Sequence, residues 1–219
     1  METKVFEAAR DLRYLLERGY HRESALKLIV DKYQLSTNQR LLLYRAVYDS
    51  STAANHKQKI ITSDKIRGSK LAMDGYNVLI TVESGLRGGL LVLCDDGFIR
   101  DISAVHGKYR ITNMTEKALS IILKAVQELK PAETNFFYDA QVSKSGQLAS
   151  QVRRTLRSAG LTGSAYAVER ADISTLDFGD IVATSDSVLI SKAEAVFDIA
   201  GEILKKNYSA TILVLHDSK

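Results

Sequence analysis

The chain has 219 residues, of which 45% are hydrophobic and 26% charged, a balance that suits a soluble globular protein of one large or two unequal domains. A lone cysteine, Cys94, excludes an internal disulfide framework and a cysteine-rich zinc site, and it fits a reducing compartment. No apolar run approaches the ~20 residues that span a membrane, and the charged N-terminus lacks the apolar stretch of a secretion signal, so a cytoplasmic protein is expected.

Net charge is +4 but unevenly spread. Residues 1–70 carry 14 Lys and Arg against 8 Asp and Glu, and residues 71–219 the remaining 16 against 18. A basic front on a slightly acidic body suits a polyanionic partner.

Residues 1–50 read as helical. KVFEAARDLRYLLERG places Phe6, Ala9, Leu12, Leu15 and Leu16 on one face, with Gly19 as the stop. RESALKLIVDKY predicts a second helix. STNQRLLLYRAVY predicts a third, opened by Ser36 with Gln39 three residues on, the spacing of a capping box. The second and third helices with their short turn have the dimensions of a helix-turn-helix, which would put Asn38, Gln39 and Arg40 at the leading end of a reader. A plain three-helix bundle accounts for the same spacing. The polar, basic stretch 51–69 reads as a linker.

From residue 70 the period changes. Strand-like runs occur at KLAM, LLVLC, FIRDIS, TNFFY, SAYAVE, DIVATS and ATILVL, with a hairpin turn at Asp95-Asp96-Gly97. Helices are predicted over 77–84, 115–130, 145–159 and 187–207. Strands alternating with helices argue for an α/β domain over 70–219, a mainly parallel open sheet with helices on both faces and a β-hairpin insertion.

Three of those strands end in an aspartate: KLAM in Asp74, TNFFY in Asp139 and DIVATS in Asp186. Singly, each is a plausible helix cap. Together at one sheet edge they would repel unless a cation sat among them, and oxygen ligands select Mg²⁺ or Mn²⁺. Metal-assisted phosphodiester hydrolysis follows most naturally. Competing phosphate chemistries lack their residues. No GxGxxG follows a strand, and no GxxxxGK[ST] exists. Tyr76 stands where a phosphoaspartyl enzyme needs its second acid, and four scattered histidines offer no nucleophile elbow.

The segments LAMDGYNVLI, FFYDAQ and DIVATSDSVLI resemble the strand-end motifs of the PIN/NYN-like metal-dependent nucleases. The whole chain resembles an uncharacterised archaeal family in which a helical N-terminal domain precedes a PIN-like one. The resemblance implies a Rossmann-like three-layer fold and a ribonuclease, with Asp74, Asp139 and Asp186 as metal ligands or ligand-positioning acids. It also implies further acids, for which Glu83 and Asp172 are the nearest candidates. The shortness of 169–179 places Asp172 in a loop rather than a helix, and Asp180, at the start of its strand, belongs to the opposite edge.

Around the acids, Asn77 is placed to hold a ligand water, and Ser143 and Ser145 open a helix whose N-terminus suits an anion. His106, Lys108 and Arg110, in HGKYR, make a cation-rich loop with an aromatic, suited to a phosphate backbone and a stacked base. The reading is a metal-dependent ribonuclease with RNA as partner. DNA could engage the helical module. The alternative is a non-catalytic nucleic-acid-binding regulator whose α/β part is a degenerate scaffold or homodimeriser. A phosphatase of small phosphoesters is a third, weaker option.

Overall fold

Leu71-Ala72-Met73 and Phe136-Phe137-Tyr138 are apolar on every residue, which only a sheet covered on both faces tolerates. The computed structural model, which describes residues 2–102, 109–207 and 211–215, builds them that way. Strands β1 (Lys70–Asp74), β4 (Glu133–Asp139), β5 (Gly163–Val168), β6 (Ile181–Ala183) and β7 (Val196–Phe197) form a parallel sheet in the order β5-β4-β1-β6-β7. Side chains alternate between two cores. Leu71, Met73, Phe136, Tyr138, Ile181 and Ala183 face one, under α5 (Gly75–Leu86), α6 (Asn113–Leu129), α7 (Ser145–Ser158) and α10 (Ile199–Asn207). Ala72, Phe137 and Val182 face the other, under α8 (Ala171–Phe178) and α9 (Ser187–Lys192). This is a three-layer α/β fold.

The hairpin of β2 (Leu91–Leu93) and β3 (Ile99–Asp101) does not join that sheet. It pairs with β8 (Ile212–Val214) in a second sheet of order β3-β2-β8. Four helices lead the chain: α1 (Glu2–Glu17), α2 (Arg22–Tyr33), α3 (Thr37–Ala46) and α4 (Ser50–Gln58). Leu12, Leu26, Leu43 and Val47 from this segment share one core with Val92, Cys94, Ile102 and Leu215, so the helices are built onto the smaller sheet. No helix among the described residues is long and apolar enough to cross a membrane.

Two expectations change here. The stretch 51–69 contains α4, the segment after it pairs with the sheet through an Ile60–Val196 bridge, and a single 3₁₀ turn follows over Ser63–Lys65. Helix α4 escaped notice because SSTAANHKQ has no apolar stripe; it buries only Ala53 and His56 and is held by Asp49, which accepts from Thr52 N at 2.8 Å. The helix expected over 187–207 is two, with β7 between them, because Val196 and Phe197 are drawn into the sheet as buried residues and Asp198 restarts the helix by accepting from Gly201 N at 2.9 Å.

Candidate functional site

Strand order runs outward from β1 through β4 to β5, then reverses to β6 on the other side of β1. In open parallel sheets the crevice at such a reversal, beyond the carboxyl ends of the strands, is where ligands sit. Asp74 ends β1 there, and Thr184, Ser185 and Asp186 follow β6.

Asp74 occupies the N-cap position of α5, where the Asn77 backbone N–H favours its ionised form. Its Oδ2 also accepts from the Thr184 hydroxyl at 2.7 Å, joining the ends of the two strands. Gly75 lets the chain turn at that point: a Cβ there would lie 2.4 Å from the Tyr138 ring. Asn77, in the first turn of α5, completes the join by accepting at Oδ1 from Ser185 N at 2.8 Å and from Ser185 Oγ at 3.1 Å. Thr184 Oγ1 accepts from Asp186 N at 3.0 Å, so Thr184 is tied to β1, Ser185 to α5, and Asp186 to Thr184.

Burial pushes the Asp74 carboxyl up to about 7, and the charges of Asp186 and Asp172 add to the shift against hydrogen bonds from Thr184 and the Asn77 backbone. The charge of Asp172 thus reaches Asp74 from an exposed position, and the expectation of a loop there is corrected. Residues 171–178 form α8, which packs over β1 and β4, and Asp172 lies in its first turn. The segment was too short for the periodicity to show a helix, and Thr175 is its single fully buried residue.

The remaining candidates separate. Asp186 caps α9, accepting at Oδ1 from Val188 N at 2.8 Å and Leu189 N at 3.2 Å. Asp139 ends the neighbouring strand at the same edge, but its Oδ1 accepts from Gln141 N at 2.8 Å, and its charge acts on Tyr76, whose hydroxyl burial pushes up to about 12. Glu83 is buried about 13 Å along α5 from Asp74, where it takes hydrogen bonds from Tyr109 Oη and from Arg87 at 2.8 Å. Ser143 is exposed in the turn before α7, and Ser145 is buried with its hydroxyl toward the Ala140 carbonyl. Arg110 is exposed outside the crevice; His106 and Lys108 lie outside the described residues. Among the described residues no group of three or more His, Cys, Asp and Glu is placed to hold a metal ion by itself. Asp180 holds the opposite edge, its carboxylate accepting from Lys70 N at 3.0 Å.

Asn77, Ser185 and Asp186 form one end of a cleft of about 750 Å³ whose other wall is the N-terminal helices. Beneath it runs a buried relay. Arg100 Nε donates to the Ser185 carbonyl at 2.6 Å, and its terminal nitrogens take both oxygens of Asp96 at 2.8 and 2.7 Å. Asp96 also meets His56 Nδ1 at 2.9 Å, and His56 Nε2 meets Ser191 Oγ at 2.9 Å. Ser191, His56 and Asp96 have the connectivity of a serine nucleophile and its base. They differ from such a pair in that the Asp96 carboxylate is shared with Arg100 and the Ser191 hydroxyl also lies 2.8 Å from the Ser187 carbonyl. Burial opposes ionisation of Asp96, but hydrogen bonds from His56 and Arg100 outweigh it and hold the carboxyl below its ordinary range. The relay braces α4 and the hairpin against the segment that carries Asp186.

At the leading end of the expected reader, Asn38 and Arg40 are exposed and Gln39 is turned back to its helix start. Gln39 completes the capping box with Ser36, and Arg40 pairs with Glu23 at 3.2 Å. Thr184, Ser185 and Arg100 were the residues sequence reasoning missed. The hydroxyl pair preceding Asp186 and an arginine inside the apolar run FIRDI were their signals, since a buried guanidinium requires partners.

A family model described as Domain of unknown function (DUF5616) matches residues 63–202, and one described as Protein of unknown function (DUF434) matches residues 4–59. The uncharacterized protein MJ0935 of Methanocaldococcus jannaschii is 34% identical over 203 residues, which cover 92% of this chain and 97% of that relative. No solved structure matches the chain.

Proposed function

We propose that this chain, which belongs to the DUF5616 family, is a divalent-metal-dependent phosphodiesterase that cleaves RNA at the crevice between β1 and β6. One observation carries the reading: Asp74, at the N-cap position of α5, turns Oδ2 to the Thr184 hydroxyl and so meets the Thr184 to Asp186 segment across the reversal in strand order. LAMDGYNVLI and DIVATSDSVLI, two of the three segments that resemble PIN/NYN-like nucleases, supply the residues that meet there.

The donor set suits a hard cation. It is all oxygen, and the charges of Asp186 and Asp172 oppose ionisation of the half-buried Asp74 until a positive charge offsets them. Mg²⁺ typically takes one or two carboxylates and fills its remaining positions with water and substrate phosphate, so two ligands suffice. Asp74 and Asp186 are the residues that would hold it, with Asp172 adding negative charge. When bound, the ion supplies a Lewis acid for the phosphoryl oxygens. Asn77 and Thr184 fix the spacing of the two strand ends, and Asp139 is left to order the turn before α7.

The test is Mn²⁺-dependent cleavage of single-stranded and structured RNA by the wild type and Asp74→Asn. Cleavage that falls at least ~100-fold in the variant supports the reading; equal activity in the two overturns it. A second reading, binding without cleavage, is favoured by the lack among the described residues of a three-ligand group. It expects nucleic-acid binding that survives both chelation and Asp74→Asn.

A further inference from the structure

The catalytic reading uses one end of the cleft and leaves the helical wall unexplained. That wall is unusual in composition. Of nine large apolar side chains exposed among the described residues, Tyr20, Tyr44 and Val188 line this one cleft. Tyr44 is 40% and Tyr20 55% exposed. Both belong to the helical segment, at the entry to α2 and on α3.

The cations there are not equivalent. Arg45 is paired with Asp101 at 3.1 Å and Arg100 with Asp96 at 2.7 Å. Arg22 donates to the carbonyl of Tyr44 and stacks over the rings of Tyr48 at 4.6 Å and Tyr44 at 5.2 Å. Its charge is felt by Asp49, but that carboxylate is occupied in capping α4. Arg22 is thus a half-buried cation held by rings and a carbonyl, with its positive charge presented at the cleft. A flat aromatic surface beside a fixed guanidinium is the pairing that takes a nucleobase face and its adjoining phosphate.

We propose that the helical wall is the substrate subsite for a single RNA strand, with an unpaired base stacked on Tyr44 and the adjoining phosphodiester on Arg22. The ligand class rests on the nuclease reading of the cleft's other end; the subsite itself rests on the wall. In a duplex the bases are stacked on one another and their faces are not offered, so the wall selects unpaired RNA. It also gives the N-terminal helices a task other than groove reading.

The experiment is fluorescence anisotropy with the full chain and a labelled 12-nucleotide RNA, free or annealed to its complement, in chelator so that nothing is cleaved. The free strand is expected to bind at least ~10-fold tighter than the duplex. Tyr44→Ala and Arg22→Gln should each weaken it ~5- to 10-fold, while Tyr44→Phe, which keeps the ring, stays within about twofold of wild type. Tyr14→Ala is the control: Tyr14 is also an exposed tyrosine under an arginine, Arg18 at 4.4 Å, but lies outside the cleft, and its loss should change nothing. Equal affinity for duplex and strand, or equal effects of Tyr14→Ala and Tyr44→Ala, overturns the subsite. Single-strand binding that depends on Tyr44 without any Mn²⁺-dependent cleavage would uphold the subsite and sink the nuclease. Cleavage unaffected by Tyr44→Ala or Arg22→Gln would do the reverse.

Discussion

Arg100, on a strand of the smaller sheet, donates through Nε to the carbonyl of Ser185 at 2.6 Å, so one sheet fixes the loop that leaves the other. The guanidinium is buried, and Asp96, fully enclosed, neutralises it through two further hydrogen bonds. Removing one member of such a pair leaves the other as an uncompensated buried charge, which costs about 3–5 kcal/mol. Arg100→Met is therefore expected to lose that much stability in urea unfolding, and with it the placement of Asp186. A loss under about 1 kcal/mol would show that water or His56 can carry Asp96 alone.

Asp74 gives stability a pH dependence whose sign is fixed. Its carboxyl is raised to about 7 in the folded chain, by burial first, from an ordinary value of 3.8. Between those values the folded state binds more protons than the unfolded one, so stability falls as pH rises. The favourable contribution is complete below about pH 4 and gone above about pH 7. Asp74→Asn keeps an oxygen for the Thr184 hydroxyl and has nothing to ionise. Its Tm should match the wild type near pH 4 and exceed it at pH 8, in thermal melts that share every other titrating group, Asp198 included. Mn²⁺ should raise the wild-type Tm at pH 8 and leave the variant unmoved, because an ion bound only to the folded state stabilises by mass action. A higher wild-type Tm at pH 8 in chelator would contradict the burial argument.

Much of this architecture was legible because the physics was local. Leu71-Ala72-Met73 announces a strand covered on both faces, and Ser36 with Gln39 announces a helix start. Asp74 and Asp186 stand out in the sequence because acids at strand ends are costly without a reason, and Asn77 only by its nearness to Asp74. What stayed hidden depends on partners distant in sequence. Nothing near His56 marks SSTAANHKQ as a helix, since its buried imidazole is satisfied by Asp96 and Ser191, 40 and 135 residues away. Val196 and Phe197 look helical among their neighbours, and only the vacant edge of β6 makes them a strand. Asp139 shares the strand-end pattern of Asp74 and Asp186, but the pattern does not say which side of its strand a carboxyl turns to.

That difference can be measured. Asp186→Asn keeps an acceptor for Val188 N and Leu189 N, so α9 stays capped while the charge beside Asp74 is lost. The carboxyl of Asp74 should then ionise at lower pH, and the Mn²⁺-induced rise in Tm should shrink. Asp139→Asn likewise keeps its turn through Gln141 N but lies outside the proposed ligand pair. Its Mn²⁺ response should stay within about twofold of wild type in apparent affinity. Equal losses in the two variants would restore Asp139 to the ligand set.

Cys94 reports whether the helices and the rest of the chain form one unit. Its thiol lies in the core that Leu12, Leu26 and Leu43 share with the smaller sheet, and burial pushes it up to about 11. The thiolate is the reactive form, so at pH 8 an aromatic disulfide reagent should find the folded protein inert and label it only through opening. If residues 2–58 could lift away while the larger sheet persisted, labelling would need far less free energy than global unfolding. The relay through His56, Asp96 and Arg100 argues against that, since lifting α4 strips Asp96 of a partner inside the larger assembly. Labelling rates across a urea series should extrapolate to an opening free energy within about 1 kcal/mol of the unfolding value. A much lower one would mean that the helical wall of the cleft opens by itself, and that the two matched segments are joined only loosely.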